Sequence, residues 1–323
     1  MSKAVFVRTL GGPEVLSCED RELDPPGPGE IRVRNGAIGI NFVDVYQRTG
    51  LYKLPLPFVA GSEGAGEVRA VGPGVSDFKV GDHVGYTGPV GAYAEERLLP
   101  ASRAVRLPEG ISDETAAAVL LKGGTAQYLL FETYPVKAGE TILVHAAAGG
   151  VGSILTQWAT ALGVRVIATA GTDDKVAMAK ASGAALAINY STADWVKAVR
   201  EGTGGTGVDA VYDGVGRATF EGSLDCLRPR GMMVSYGNAS GFVTIPNLGV
   251  LASKGSLYVT RPIMGSYHAT TQQFRDSMNA VFDAVRTGKF KVEIGRRWPL
   301  AEAATAHREL EARKTTGSLL LIP

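Results

Sequence analysis

The residues that most often announce chemistry are scarce in this chain. Only two cysteines occur among 323 residues, Cys18 and Cys226, far apart in sequence. A disulfide framework is therefore not expected, and a reducing compartment is. The four histidines, His83, His145, His268 and His307, stand singly with no paired spacing, so each reads as structural or exposed rather than as a metal ligand. No apolar run reaches the ~18 residues of a membrane-spanning helix. The opening stretch MSKAVFVRTLGGPEVL lacks a basic region followed by an apolar core, so no secretory signal is expected and a cytoplasmic protein is. Net charge is only +1, which gives no electrostatic reason to expect nucleic acid or an anionic membrane as partner. Internal repeats and low-complexity tracts are absent too.

Glycine is abundant instead, at 42 of 323 residues, nearly double the typical ~7%. That implies many tight turns and close backbone approaches. The length favours two domains. Residues 1–122 read as β-rich: short alternating runs (AVFVRTL, EIRVRNGAIGI, GAGEVRAVG, GDHVGYT) separated by Pro/Gly punctuation. The texture changes at ISDETAAAVLLKGGTAQYLLFE, where helical spacing begins with Asp113 and Glu114 in the first turn. From about residue 140, strands alternate with helices: TILVHA, VRVIATA, LAINY, VDAVYDG, GMMVSYG and a short sixth strand in GSLYVT. This alternation predicts an α/β fold with a doubly wound, six-stranded parallel sheet. After Arg261 come two amphipathic helices and a closing apolar strand, SLLLIP.

His145–Gly152, HAAAGGVG, lies between the first of those strands and its helix. In that context the glycines permit a tight turn and let backbone N–H groups reach a pyrophosphate at the helix start. The second strand ends Thr169-Ala170-Gly171, without the acidic residue that binds an unphosphorylated ribose. NADPH is thus favoured over NADH. Asp173 and Asp174 read as the start of the next helix, and Lys175 reads equally as a 2′-phosphate contact or a solvated helix residue. VAGSEGAGEV resembles the segment in which zinc alcohol dehydrogenases carry a ligand histidine, but Ser62 stands in its place. Asn41 and Asp44 stand where such enzymes have a cysteine, and a cysteine-rich lobe is missing, so metal-independent chemistry is expected.

Together, GGPEVL, GINFVDVYQRTGLY, HAAAGGVG, VYDGVGR, SLDCL, GSLYVTRP and GSLLLIP resemble the zinc-independent, ζ-crystallin-like NADPH:quinone oxidoreductases of the medium-chain dehydrogenase/reductase superfamily, over essentially the whole length. The resemblance implies a GroES-like catalytic domain of residues 1–122 completed by 261–323, a Rossmann domain of residues 123–260, and a cofactor cleft between them. It implies that Gly149, Gly150, Val151 and Gly152 hold the pyrophosphate and that Lys175, Tyr190 and Arg313 meet the 2′-phosphate and adenosine end. Thr125, Gly214, Val215, Tyr236, Gly237 and Asn238 would line the ribose and nicotinamide; Tyr236 departs from the family's frequent phenylalanine. It further implies a homodimer formed through the edge strand near Gly255–Val259.

Around the reacting ring the resemblance puts Asn41, Asp44, Tyr46, Tyr52 and Arg261. Asn41, counted also with the cofactor contacts, and Tyr46 would donate hydrogen bonds to a carbonyl oxygen. Tyr52 would offer a flat face, and Arg261 would stabilise developing negative charge. Asp44 would fix Arg261 or Tyr46. A quinone is already electrophilic and needs positioning more than acid–base help. Reduction of the C=C bond of an enone or enoyl thioester is the second reading. A non-enzymatic nucleotide- or RNA-binding role is the third, against which the neutral charge argues.

Overall fold

The computed structural model describes residues 1–312 and 315–323. The chain divides into two compact units. The first comprises Met1–Gly124, His268–Arg286 and Val292–Pro323; the second comprises Thr125–Tyr267 and Thr287–Lys291. Residues 261–267, read with the tail from the sequence, thus group with the second unit.

The second unit is built on six parallel strands in the order Leu186–Asn189, Arg165–Ala170, Thr141–Val144, Val208–Asp213, Leu227–Ser235, Tyr258–Thr260. Numbered along the chain this is 3-2-1-4-5-6, the doubly wound Rossmann order. Its strands are near-continuous apolar runs because helices cover both faces. Leu143, Ile167, Val211 and Met233 are all fully buried. The order reverses between Thr141–Val144 and Val208–Asp213, so the loops after these two strands flank the switch point where such sheets bind ligands. The helix expected from TADWVKAVREG begins at Trp195, because the Asp194 carboxylate accepts the Lys197 N–H and caps it there.

In the first unit a seven-stranded sheet is organised around the long strand Glu30–Ile40, which pairs antiparallel with Glu63–Val71, Glu96–Pro100 and Ser318–Ile322. A three-stranded sheet contains Ser2–Val7 at its centre. The helix Thr271–Arg286 buries Phe274, Met278, Val281 and Phe282 on one stripe, at the i, i+4, i+7, i+8 spacing of an amphipathic helix. The elements not anticipated from sequence include the strand Ile294–Pro299, paired with Ser318–Ile322, and the helix Phe42–Arg48, inside the segment read as β-rich.

Candidate active site

The nucleotide end of the second unit is assembled at the carboxyl ends of its strands. The helix Gly150–Ala161 starts directly after the loop, with Gly149 as N-cap and no side chain bonding its first turn. Its first N–H groups lack intrahelical acceptors by geometry, and their summed dipole favours an anion. Ala146 adopts φ +50°, a conformation uncommon outside glycine. That turn brings its carbonyl oxygen so near Gly152 that a Cβ there would collide with it. Any side chain at position 152 would therefore push the loop and the helix start apart.

His145 heads this loop but faces the core. It is fully buried, with Nδ1 2.7 Å from Thr169 Oγ1 and Nε2 2.9 Å from Ser223 Oγ. The Ser223 hydroxyl is donated to Thr219 O, so it accepts the Nε2 proton and Nδ1 accepts from Thr169. Burial lowers the His145 pKa, and the ring serves as a neutral tie between strand and helix.

The second strand ends at Ala170, followed by Gly171 and by Thr172, whose hydroxyl caps the helix Asp173–Ala181 by accepting the Lys175 N–H. Asp173 lies in the first helical turn, where its Oδ1 accepts a hydrogen bond of 2.7 Å from Asn189 Nδ2. Tyr190 lies across Gly171, where a Cβ would stand 2.8 Å from the phenol oxygen. Lys175 and Tyr190 are both half-buried on this side of the sheet. Arg313 lies outside the described residues.

After the fourth strand, Asp213 is fully buried and accepts from Val215 N at 2.7 Å, Gly216 N at 3.0 Å and Thr219 Oγ1 at 2.7 Å. This carboxylate fixes the loop carrying Gly214 and Val215. Tyr236 N and Gly237 N donate to Asp213 O, and the Tyr236 ring packs on Gly214. Gly214, Val215, Tyr236, Gly237 and Asn238 are thereby brought together, beside the switch point. Thr125 is nearly buried at the start of this unit. Arg261, exposed, donates from Nη1 to Ser235 O at 3.0 Å at the end of the fifth strand.

In the first unit, Asp44 and Tyr46 lie in the helix Phe42–Arg48, Asn41 is its N-cap and Tyr52 follows it. Asn41 and Asp44 form a reciprocal capping box: the Asp44 carboxylate accepts the Asn41 N–H at 2.8 Å and the Asn41 side chain accepts the Asp44 N–H. Asn41 Nδ2 donates to Glu63 Oε2 at 2.8 Å, which leaves one amide hydrogen for another partner. Tyr46 and Tyr52 meet edge-on with ring centres 5.2 Å apart. The expected role of Asp44 is corrected. Its two oxygens hold Asn41 N, Ser62 Oγ at 2.9 Å and Tyr93 Oη at 3.1 Å, rather than Tyr46. Asp44 is almost fully buried, and desolvation pushes its pKa up to about 6 against these three donors, with Glu63 adding to the rise.

Ser62, in the position compared with a zinc-ligand histidine, donates its hydroxyl to Asp44. Its neighbour Glu63 is committed to Asn41, Leu121 N and Lys122 Nζ. Among the described residues, no group of three or more His, Cys, Asp or Glu side chains is arranged to hold a metal ion. This donor set does not fit zinc.

The sequence reading missed Tyr93, Glu63, Lys122 and His307, all buried around Asp44 and Asn41. The capping box had a local signal, N-x-x-D ahead of an apolar stretch; the others had none.

Residues 27–109 match the alcohol dehydrogenase GroES-like domain family and residues 150–283 the zinc-binding dehydrogenase family. A quinone oxidoreductase of Pseudomonas aeruginosa is 53% identical over the full length of both chains. A 2-haloacrylate reductase of Burkholderia is 44% identical, covering all of this chain and 99% of its own. The structure of Escherichia coli quinone oxidoreductase complexed with NADPH superimposes with a TM-score of 0.97 at 48% identity, covering 99% of this chain and 100% of that one. A Rossmann sheet and a GroES-like β unit in one chain define the medium-chain dehydrogenase/reductase class. Within it, the chain belongs to the quinone oxidoreductase family.

Proposed function

We propose that this protein reduces quinones with NADPH, without a bound metal. One observation carries the reading. At the carboxyl end of the sheet, a helix start with no side-chain cap adjoins a strand end that carries no carboxylate to repel a 2′-phosphate. The full-length likeness to the NADPH-complexed E. coli enzyme supports it. When bound, NADPH supplies the hydride.

Gly149, Gly150, Val151 and Gly152 hold the pyrophosphate through backbone N–H groups, and Lys175, Tyr190 and Arg313 hold the phosphorylated adenosine end. Thr125, Gly214, Val215, Tyr236, Gly237 and Asn238 orient the ribose and nicotinamide. On the acceptor side, the free amide hydrogen of Asn41 and the hydroxyl of Tyr46 orient a carbonyl oxygen. Tyr52 offers a flat face, and Arg261 stabilises negative charge on the acceptor oxygen. Asp44 holds the segment that carries Asn41.

A second reading, reduction of an electron-poor C=C bond, is favoured by the likeness to the 2-haloacrylate reductase. NADPH and NADH oxidation measured against 1,4-benzoquinone, 2-chloroacrylate and crotonyl-CoA, with and without EDTA, separates the readings. Turnover with benzoquinone, selective for NADPH and indifferent to EDTA, is expected. Turnover with the alkenes alone would replace the first reading with the second.

For assembly we propose a homodimer formed through the edge of the six-stranded sheet. Tyr258–Thr260 is its terminal strand, and the Tyr258 side chain is exposed at 58%. Light scattering on the purified protein tests this. A cytoplasmic location is proposed from the two unpaired cysteines.

A further inference from the structure

A continuous chain of buried side chains runs through the first unit from the helix Ala303–Glu311 to Asp44, and its chemistry fixes the direction of every hydrogen bond. Arg48, fully buried, places Nη1 3.2 Å from His307 Nδ1 and 2.8 Å from Glu311 Oε1, while its Nε donates to Gly11 O. A guanidinium has no acceptor, so His307 Nδ1 must be the bare nitrogen. Burial and the Arg48 charge hold His307 neutral, with a pKa pushed down to about 3. A neutral imidazole with bare Nδ1 carries its proton on Nε2, which lies 2.9 Å from the Tyr93 oxygen. Tyr93 thus receives that proton's hydrogen bond and has its own hydroxyl to give, and Asp44 Oδ2 is 3.1 Å away. The order is Arg48 to His307 to Tyr93 to Asp44.

We infer that Tyr93 and His307 are positioning residues for the reduction: together with Arg48 they orient and keep ionised the Asp44 carboxylate that sets Asn41 and Ser62. The inference rests on the reading of Asn41 as an acceptor-side residue.

The Asp44 carboxylate is the centre of this arrangement. Asn41 N, Ser62 Oγ and Tyr93 Oη all donate to it and so favour its ionised form. The groups facing this cluster are Arg48 from its own helix, Ser62 and Glu63 from the segment entering the strand Glu63–Val71, and Tyr93 from its loop. Lys122 faces it from the helix Asp113–Tyr128, and His307 and Glu311 from the C-terminal helix. Glu63 opposes ionisation of Asp44, and the three donors favour it. Tyr93 and His307 lie 214 residues apart, and neither belongs to the glycine loop or the GINFVDVY motif.

The test compares Tyr93→Phe, His307→Leu and His307→Gln with wild type, reading kcat and KM for benzoquinone, NADPH affinity by fluorescence, and the pH profile of kcat. Glutamine can offer Oε1 to Arg48 and an Nε2 hydrogen to Tyr93, so it imitates the inferred tautomer. Tyr93→Phe and His307→Leu should lower kcat about tenfold with NADPH affinity within twofold of wild type. Both should move the acid limb of kcat toward higher pH, by roughly half a unit or more in Tyr93→Phe, where Asp44 loses a donor to its ionised form, and by less in His307→Leu, where that donor stays but loses the partner that aims it. His307→Gln should restore kcat to within about threefold. Unchanged kcat and acid limb in Tyr93→Phe and His307→Leu would overturn the inference. So would a folded His307→Gln no more active than His307→Leu. Should His307→Leu not fold, Tyr93→Phe and His307→Gln decide by the same criteria. A wild type inert toward benzoquinone overturns the functional reading and this inference together; an active wild type with unaffected variants overturns this inference alone.

Discussion

Replacing Glu63 with glutamine removes one charge and no volume, and the structure makes the cost calculable. Glu63 is fully buried. Its Oε1 accepts Leu121 N at 2.6 Å, and its Oε2 accepts both Asn41 Nδ2 at 2.8 Å and Lys122 Nζ at 3.3 Å. Gly39 gives it room, since a Cβ on that residue would collide with Oε2. Glutamine has one acceptor oxygen to meet three donors. If that oxygen faces Leu121, the amide nitrogen points at Asn41 and Lys122. If it is turned round, the nitrogen points at the Leu121 N–H. In either pose Lys122, itself nearly buried, loses its counter-charge.

Breaking a buried ion pair from one side costs ~3–5 kcal/mol, because the remaining charge stays desolvated. At ~2–4 °C per kcal/mol for a unit of 150–250 residues, Glu63→Gln should lower the melting temperature by roughly 6–20 °C. Circular dichroism melts and urea titration of Glu63→Gln, Lys122→Met and the double variant supply the measurement. The double variant has no charge left to strand, so it should recover at least half of the sum of the single losses, a coupling expected for groups in direct contact. A Glu63→Gln loss below ~1 kcal/mol, or single losses that simply add, would refute the claim that these two charges hold each other in a dry interior.

Three further outcomes are expected. Lys175→Ala should weaken NADPH binding ~10–100-fold, the worth of a charge-assisted bond to phosphate, and NADH binding less than about threefold; fluorescence titration with both cofactors checks it, and equal losses would remove Lys175 from the 2′-phosphate. Gly152→Val should abolish NADPH binding in calorimetry while leaving a folded protein by circular dichroism, since its Cβ meets the Ala146 carbonyl at the start of the helix. Stability should also depend on pH in opposing ways. His307 and His268, depressed by burial to about 3 and about 4, bind protons more readily when unfolded, so their contribution is present above pH ~6.5 and is lost as pH falls toward those values. Asp44, raised to about 6, binds protons more readily when folded, so its contribution grows as pH falls from about 6 toward ~4. His307→Gln should therefore flatten the acid-side fall in unfolding free energy between pH 6.5 and 4 by about one proton's slope, and an unchanged slope would show that His307 is not buried neutral.

What could be read in the chain was whatever repeats at a fixed spacing. The six strands of the second unit declare themselves because each is an apolar run between helical stretches, and a parallel sheet covered on both faces demands that pattern. The glycine loop is legible because the role proposed for it depends on backbone, and only glycine leaves that backbone bare. The helix Phe42–Arg48 was hidden for the opposite reason. It is only seven residues long, too short for a periodic signal, and it is held by the Asn41–Asp44 capping box rather than by an amphipathic face. The ties around it were hidden more deeply. Asp44 reads in sequence as a polar residue in a motif, and its partners Ser62 and Tyr93, with His307 behind Tyr93, come from three other segments. No local pattern encodes such a cluster, because each member satisfies a polar group that folding has already cut off from water. Motif reading therefore reaches the residues proposed to touch a ligand, whereas the side chains that hold them in place become visible only when every buried donor is traced to its acceptor. His307, set aside in the sequence as a lone histidine, is found by that tracing: its Nδ1 faces an arginine that can only donate, which leaves its single proton aimed at Tyr93.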